Sequence, residues 1–105
     1  MTSMQTTEIK EKTAALLVKY KSGTEDTRNE IVELNKPLIW YAINKYGPKQ
    51  INRDDLYSDA LYTFAKAIAA FDVNGSASFS TYALRCMINQ FLMSARKYKR
   101  RRKRS

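Results

Sequence analysis

The fold is decided by Asp55-Leu-Tyr-Ser-Asp-Ala-Leu-Tyr-Thr-Phe-Ala-Lys-Ala-Ile-Ala-Ala-Phe-Asp72, followed after a Gly/Ser turn by Phe79-Ser-Thr-Tyr-Ala83. In the first run Leu56, Ala60, Phe64, Ile68 and Phe71 recur at spacings of four, four, four and three, the period of a helix with one buried face. Asn52 ahead of Asp54 and Asp55 reads as an N-cap with acids in the first turn, where the helix dipole favours negative charge. Tyr57, Ser58, Asp59, Tyr62 and Lys66 are left on the other sides. Asp72 to Ser78 holds Gly75 among small polar residues, a turn signal. Ser78 is placed to cap a further helix. On that helix Phe79, Tyr82, Ala83, Cys86, Gln90 and Met93 share one face, and Arg85, Asn89, Leu92 and Arg96 share another.

Upstream, residues 1–7 are polar and aperiodic, which predicts a disordered N-terminus. A first helix is expected over Glu8 to Lys21, with Ile9, Thr13, Leu16, Leu17 and Tyr20 at helical spacing and Ser22-Gly23 as the stop. Thr24 is placed to cap the next, with Glu25 and Asp26 in its first turn. There Ile31, Leu34, Leu38, Ala42 and Lys45 follow one stripe, while Val32, Ile39 and Ile43 follow a second. A helix apolar on two sides is the central one of a bundle. Pro37 removes the bond to the Glu33 carbonyl and predicts a kink within one helix, which Gly47-Pro48 then ends. No strand pattern occurs. The expectation is an all-α bundle of about four helices over residues 8–98.

Composition limits what such a bundle can do. The 105 residues carry a formal charge of +9, but eight of the nineteen basic residues lie between Arg96 and Arg104, where there is no acid. Residues 1–95 are therefore nearly balanced, eleven basic against ten acidic. The basicity is a tail, and the stretch 99–105 is expected to stay unstructured until a polyanion neutralises it. Solvation alone, or an acidic membrane surface, would also suit such a run; its place directly after an aromatic-led helix favours nucleic acid. The chain has no histidine and one cysteine, Cys86, which excludes imidazole acid-base catalysis, the usual zinc-ligand sets and an internal disulfide. No apolar run reaches membrane-spanning length and no leader pattern opens the chain. A non-enzymatic protein of the cell interior follows, with neither cofactor nor metal.

The segments Glu30-Ile-Val-Glu-Leu-Asn-Lys-Pro-Leu-Ile39, Lys45-Tyr-Gly47, Asp54-Asp-Leu56, Lys66-Ala-Ile68, Phe71-Asp72 and Phe79-Ser-Thr-Tyr-Ala83, in this order and spacing, resemble region 2 of the sigma-70 family of bacterial transcription initiation factors. The likeness runs from about residue 14 to residue 98. Arg85-Cys86, with Asn89, Leu92 and Met93 behind, is most similar to the variant in sporulation sigma factors and their phage relatives. What the resemblance implies is a helical domain that docks on the clamp helices of core RNA polymerase, reads the promoter −10 element and holds its strands apart.

Carried over position by position, the resemblance places Asp55, Ser58, Asp59 and Tyr62 on the polymerase-docking helix. Ser58-Asp59-Ala60 stands where the family commonly has Gln-Glu-Gly, so the acid is kept with a shorter reach. A solvated acidic face would have the same composition. Phe79, Thr81 and Tyr82 fall in the strand-opening segment, where an aromatic ring offers a stacking face to an unpaired base. Buried core aromatics would show the same spacing. Arg85-Cys86 replaces two adjacent Trp of the housekeeping members, which implies weaker autonomous melting and an Arg85 that engages phosphate or a base edge. Asn89 matches the reader of the upstream −10 base pair, a role that suits its paired donor and acceptor against adenine. Arg96, Lys97, Lys99 and Arg100 then fall on backbone phosphates.

Full family members continue into a domain that reads the −35 element, whereas this sequence stops at Ser105. Three readings are open: a fragment, a chain served by a separate region 4-like protein, or one that needs no such reading. A regulator that occupies the clamp without initiating has the same docking residues. A nonspecific basic nucleic-acid-binding protein is the remaining alternative.

Overall fold

The computed structural model describes the backbone of residues 6–104 and the side chains of residues 7–101. Among these are five helices and no strand: α1 (Thr6–Lys21), α2 (Arg28–Leu34), α3 (Lys36–Tyr46), α4 (Arg53–Ala70) and α5 (Phe79–Arg104). Residues 1–5 of the segment expected to be disordered lie outside the described residues, and Thr6 and Thr7 open α1.

The helix boundaries follow from local chemistry. Gly23 ends α1 with φ of 77°, a left-handed conformation that an L side chain adopts only under strain. At Gly47 the reason is space: its N–H donates to the Ile43 carbonyl at 2.9 Å, and a Cβ there would approach that same oxygen to 2.5 Å. Asn52 caps α4 by accepting the Asp54 N–H at 2.7 Å, and Ser78 accepts the Thr81 N–H at 3.2 Å at the start of α5.

Two expectations about the central segment are corrected. Thr24 caps nothing; its hydroxyl pairs with Ser22, and helix α2 begins only after Thr27, so Glu25 and Asp26 lie outside it. The buried Thr27 hydroxyl instead donates to the Leu16 carbonyl at 2.7 Å and ties α2 to α1. The chain also breaks at Asn35 into two helices, where Pro37 predicted a kink in one. Pro37 cannot supply an N–H, and Asn35 stabilises the break. Its amide nitrogen donates to Thr13 Oγ1 and to the Ile31 carbonyl, each at 2.9 Å, leaving a buried side chain satisfied between α1 and α2.

The core is a single cluster to which every helix contributes. α4 packs most extensively on α5 and then on α3, and buries Leu56, Ala60, Phe64, Ala67 and Ile68. α5 answers with Phe79, Ala83, Met87 and Phe91, a stripe in steps of four. This shifts the face read from the sequence: Met87 and Phe91 are buried, while Met93 is 49% exposed. The helix then runs on through the basic segment to Arg104, where composition alone predicted unstructured chain from residue 99. No helix among the described residues is long and apolar enough to cross a membrane.

Candidate functional site

On α4 the residues Asp55, Ser58, Asp59 and Tyr62 are spaced i, i+3, i+4 and i+7, which puts them on one face opposite the buried stripe. Asp55 and Ser58 are exposed, and Tyr62 is 68% exposed with the Lys66 ammonium 5.2 Å from its ring centroid. Asp59 differs from them. It is half-buried and accepts the Ser94 hydroxyl of α5 at 3.5 Å. It sits in a cleft of about 540 Å³ between the first half of α4 and the last half of α5, bordered by Asp55 and Ser58 on one side and by Gln90, Lys97 and Arg101 on the other. The acids assigned to docking and part of the basic segment assigned to DNA thus share one cleft. Sequence periodicity does not reveal this, because it depends on how α4 and α5 cross.

The first turns of α5 carry the residues assigned to strand opening, and the structure separates them. Phe79 is only 6% exposed, its ring edge-on to Phe64 at 5.4 Å and to Phe71 at 5.3 Å. It offers no face to a base; as a stacking residue it is corrected to a core residue that fixes the start of α5. Tyr82 is half-buried, its ring tilted against Phe71 at 5.6 Å and part of its surface open. The Cys86 thiol beside it, by its charge interaction and hydrogen bond, pushes the Tyr82 phenol above its ordinary value. Thr81 is exposed, and its hydroxyl accepts from Ser78 at 2.9 Å.

Further along α5, Arg85, Asn89, Leu92 and Arg96 are all exposed and follow one stripe. Leu92 is the apolar member of that stripe, 52% exposed between Asn89 and Arg96. Lys97, Lys99 and Arg100 continue the positive surface in helical rather than extended form. The stripe and the positive end thus lie on one continuous helix.

Further features escaped the sequence reading. A groove of about 450 Å³ lies beside the start of α5, walled by Ser80 and Thr81, by Asn35, Leu38 and Tyr41, and by Lys10 of α1. Along α3, Tyr41 and Tyr46 are 46% and 39% exposed, with Lys45 between them. Sequence periodicity assigned Lys45 to an apolar stripe; the structure leaves it exposed. A stacked pair, Trp40 on Tyr57 at 4.6 Å with the Arg53 guanidinium over Trp40, closes the other side of α3. Among the described residues no cluster of metal-ligating side chains occurs.

Comparison with known proteins identifies the architecture. The family model described as sigma-70 region 2 matches residues 31–102. The RNA polymerase sigma-E factor of Clostridium acetobutylicum is 30% identical over 82 residues, which is 78% of this chain and 35% of that protein. The RNA polymerase sigma-28 factor of Bacillus thuringiensis subsp. kurstaki is 29% identical over 83 residues, 79% of this chain and 35% of its own. For the RNA polymerase sigma-F factor of Bacillus licheniformis the values are 26% over 87 residues, 82% and 34%. The sigma-E and sigma-F factors are of the sporulation type that the sequence resembles. The chain spans about a third of the length of the curated relatives it matches, and no solved structure matches it. With 72 of its 105 residues covered by the family model, the chain belongs to the sigma-70 family as a region 2 domain.

Proposed function

We propose that this chain docks on core RNA polymerase through α4 and engages the promoter −10 element through α5, holding one strand unpaired at Tyr82. The observation that carries this reading is the fixed geometry of the α4 and α5 pair. Asp55, Ser58 and Tyr62 are exposed on one helix, Arg85, Asn89 and Arg96 on the other, and a continuous apolar seam from Leu56 to Phe91 joins them. A partner held by α4 is then held at a set position relative to DNA on α5. Exposed acids on α4 complement a basic partner surface, and steering between opposite charges raises the rate of encounter.

Within this reading Tyr82 supplies the stacking face, while Phe79 orients the helix that presents it. Asn89 and Arg85 meet base edges or phosphate; Thr81 lies beside the opened strand; Arg96, Lys97, Lys99 and Arg100 meet backbone phosphate and add affinity without sequence information. The domain carries out no chemistry of its own and works inside the bacterial cell, on nucleoid DNA. Reading of a −35 element falls to protein outside these 105 residues, either a further segment or a separate region 4-like partner.

The test is promoter-specific transcription with purified core polymerase, alone and with candidate region 4-like partners. A defined transcript start that depends on this chain is the expected result. Tight core binding without any promoter-dependent transcript would overturn initiation and leave a regulator that occupies the clamp. Binding to DNA with no binding to polymerase would leave a nonspecific basic protein.

A further inference from the structure

Resting on the function proposed above, we infer a second stacking platform for the unpaired DNA strand: the exposed Tyr41 and Tyr46 of α3, with Lys45 between them taking a phosphate. The two rings lie edge to face with centroids 6.4 Å apart, and both retain exposed surface. Lys45 Nζ is 3.1 Å from the Tyr41 hydroxyl and 5.5 and 5.6 Å from the two ring centroids. The ammonium has three donors; the Tyr41 hydroxyl takes one and Tyr46 draws on a second, which leaves one for a phosphate oxygen. Aromatic faces alternating with a cation are what a single strand requires: each base has a π-face to stack, and each linkage carries a charge to neutralise.

A pair of surface tyrosines alone would be unremarked; their place makes them informative. Tyr41 walls the groove whose opposite side is Ser80 and Thr81, the two residues immediately before Tyr82. A strand leaving Tyr82 therefore meets a concave path past Thr81, floored by Pro37, Leu38 and Leu84, that reaches Tyr41, and then an aromatic pair holding a cation. The alternative, with Tyr41 and Lys45 merely solvated, would give them no reason to matter for strand binding.

The experiment measures binding of the whole chain to a fluorescent single-stranded DNA of about twelve nucleotides, a length within the range that single-strand sites occupy. Wild type is expected to bind one strand per chain. Tyr41→Ala with Tyr46→Ala should weaken binding about tenfold, the scale of losing one base stack, while Tyr41→Phe with Tyr46→Phe stays within about twofold. Lys45→Gln should lower the slope of log affinity against log salt by about 0.7, one phosphate's share on a single strand. Thermal melts of these exposed-site variants should match wild type. Wild-type affinity in the double alanine variant, with Tyr82→Ala weakened, would overturn the platform and keep the reading on which it rests. Two strands bound per chain would overturn the single continuous path. Failure of wild type to bind single strands, or indifference to Tyr82→Ala, would overturn that reading and the platform together.

Discussion

Asp59 of α4 and Ser94 of α5 meet across the cleft between their helices, with 3.5 Å between Ser94 Oγ and Asp59 Oδ2. Lys97 and Arg101 border the same cleft. An acid proposed to dock polymerase therefore also touches the helix proposed to hold DNA. Asp55, one turn earlier, is exposed and has no such tie to the core.

This difference predicts different outcomes for the two charge reversals. Asp59→Lys should weaken polymerase binding and also lower folding stability by about 1 kcal/mol, because it sets a third cation in a half-buried cleft beside Lys97 and Arg101. Asp55→Lys should weaken binding with stability within about 0.5 kcal/mol of wild type, as for exposed substitutions generally. Pull-down on core polymerase, read beside urea titrations, separates them. Undiminished binding in both variants would remove α4 from the interface.

Lys99 and Arg100 are exposed on the last turns of α5, beyond the core stripe that ends at Phe91. Their joint change to Gln should leave thermal stability unaltered. On duplex DNA the slope of log affinity against log salt should fall by about 1.8, which is about 0.9 for each phosphate that is no longer neutralised. An unchanged slope would place this end of the helix away from DNA.

Asn35 predicts a stability effect. Its amide spans Thr13 and the Ile31 carbonyl from a position 2% exposed. Asn35→Ala removes both bonds and strips a partner from a buried hydroxyl, at a cost of about 1 to 3 kcal/mol. A urea midpoint matching wild type would mean that α1 is not held through this residue.

How much of this was legible in the sequence varied with the range of the interaction. Gly23, Gly47, Asn52 and Ser78 act on neighbours within a few residues, and their roles as stops and caps could be read directly. Asn35 could not be read that way, because its main partner, Thr13, is 22 residues away. Nor could the buried stripe of α5: Phe79, Ala83, Met87 and Phe91 compete with Tyr82, Cys86, Gln90 and Met93 at the same spacings. Only the packing of α4 decides between them. The same limit hid the burial of Phe79, the cleft at Asp59 and the tyrosine pair on α3. The helical form of the basic segment was missed for another reason, since mutual repulsion argued for an extended chain while α5 propagates from a turn already fixed by the core.

Asp26 supplies a pH prediction. The Arg28 guanidinium, hydrogen-bonded to both carboxylate oxygens at 2.9 and 2.8 Å, lowers the Asp26 carboxyl to about 2, with the Arg28 backbone N–H adding to the effect. A depressed carboxylate contributes stability above its unfolded value, near 4, and loses it as pH falls towards 2. Wild type should therefore exceed Asp26→Asn slightly in melting temperature above about pH 4, with the gap closing by about pH 2. A gap that stayed constant across that window would show that the ion pair is not what Asp26 contributes.

Tyr82 offers the sharpest separation of function from packing, because its ring packs on the core and is also the one proposed to stack on a base. It rests on Phe71 at a centroid distance of 5.6 Å, yet part of it is open to solvent. Tyr82→Phe keeps the ring and loses only the hydroxyl that meets Cys86, so strand opening and stability should both stay near wild type. Tyr82→Ala should lower stability by about 1 to 2 kcal/mol, less than the 3 to 5 kcal/mol typical of a fully buried aromatic. It should also cost about 1 to 3 kcal/mol of stacking on the unpaired base. Polymerase binding, proposed to run through α4, should survive both changes. The measurement is permanganate reactivity of promoter thymines in the polymerase complex at a temperature where melts show each variant folded. Loss of reactivity in the alanine variant and its retention in the phenylalanine variant is the expected pair. Equal reactivity in all three proteins, each folded and polymerase-bound, would mean that the strands are held apart by something other than this ring.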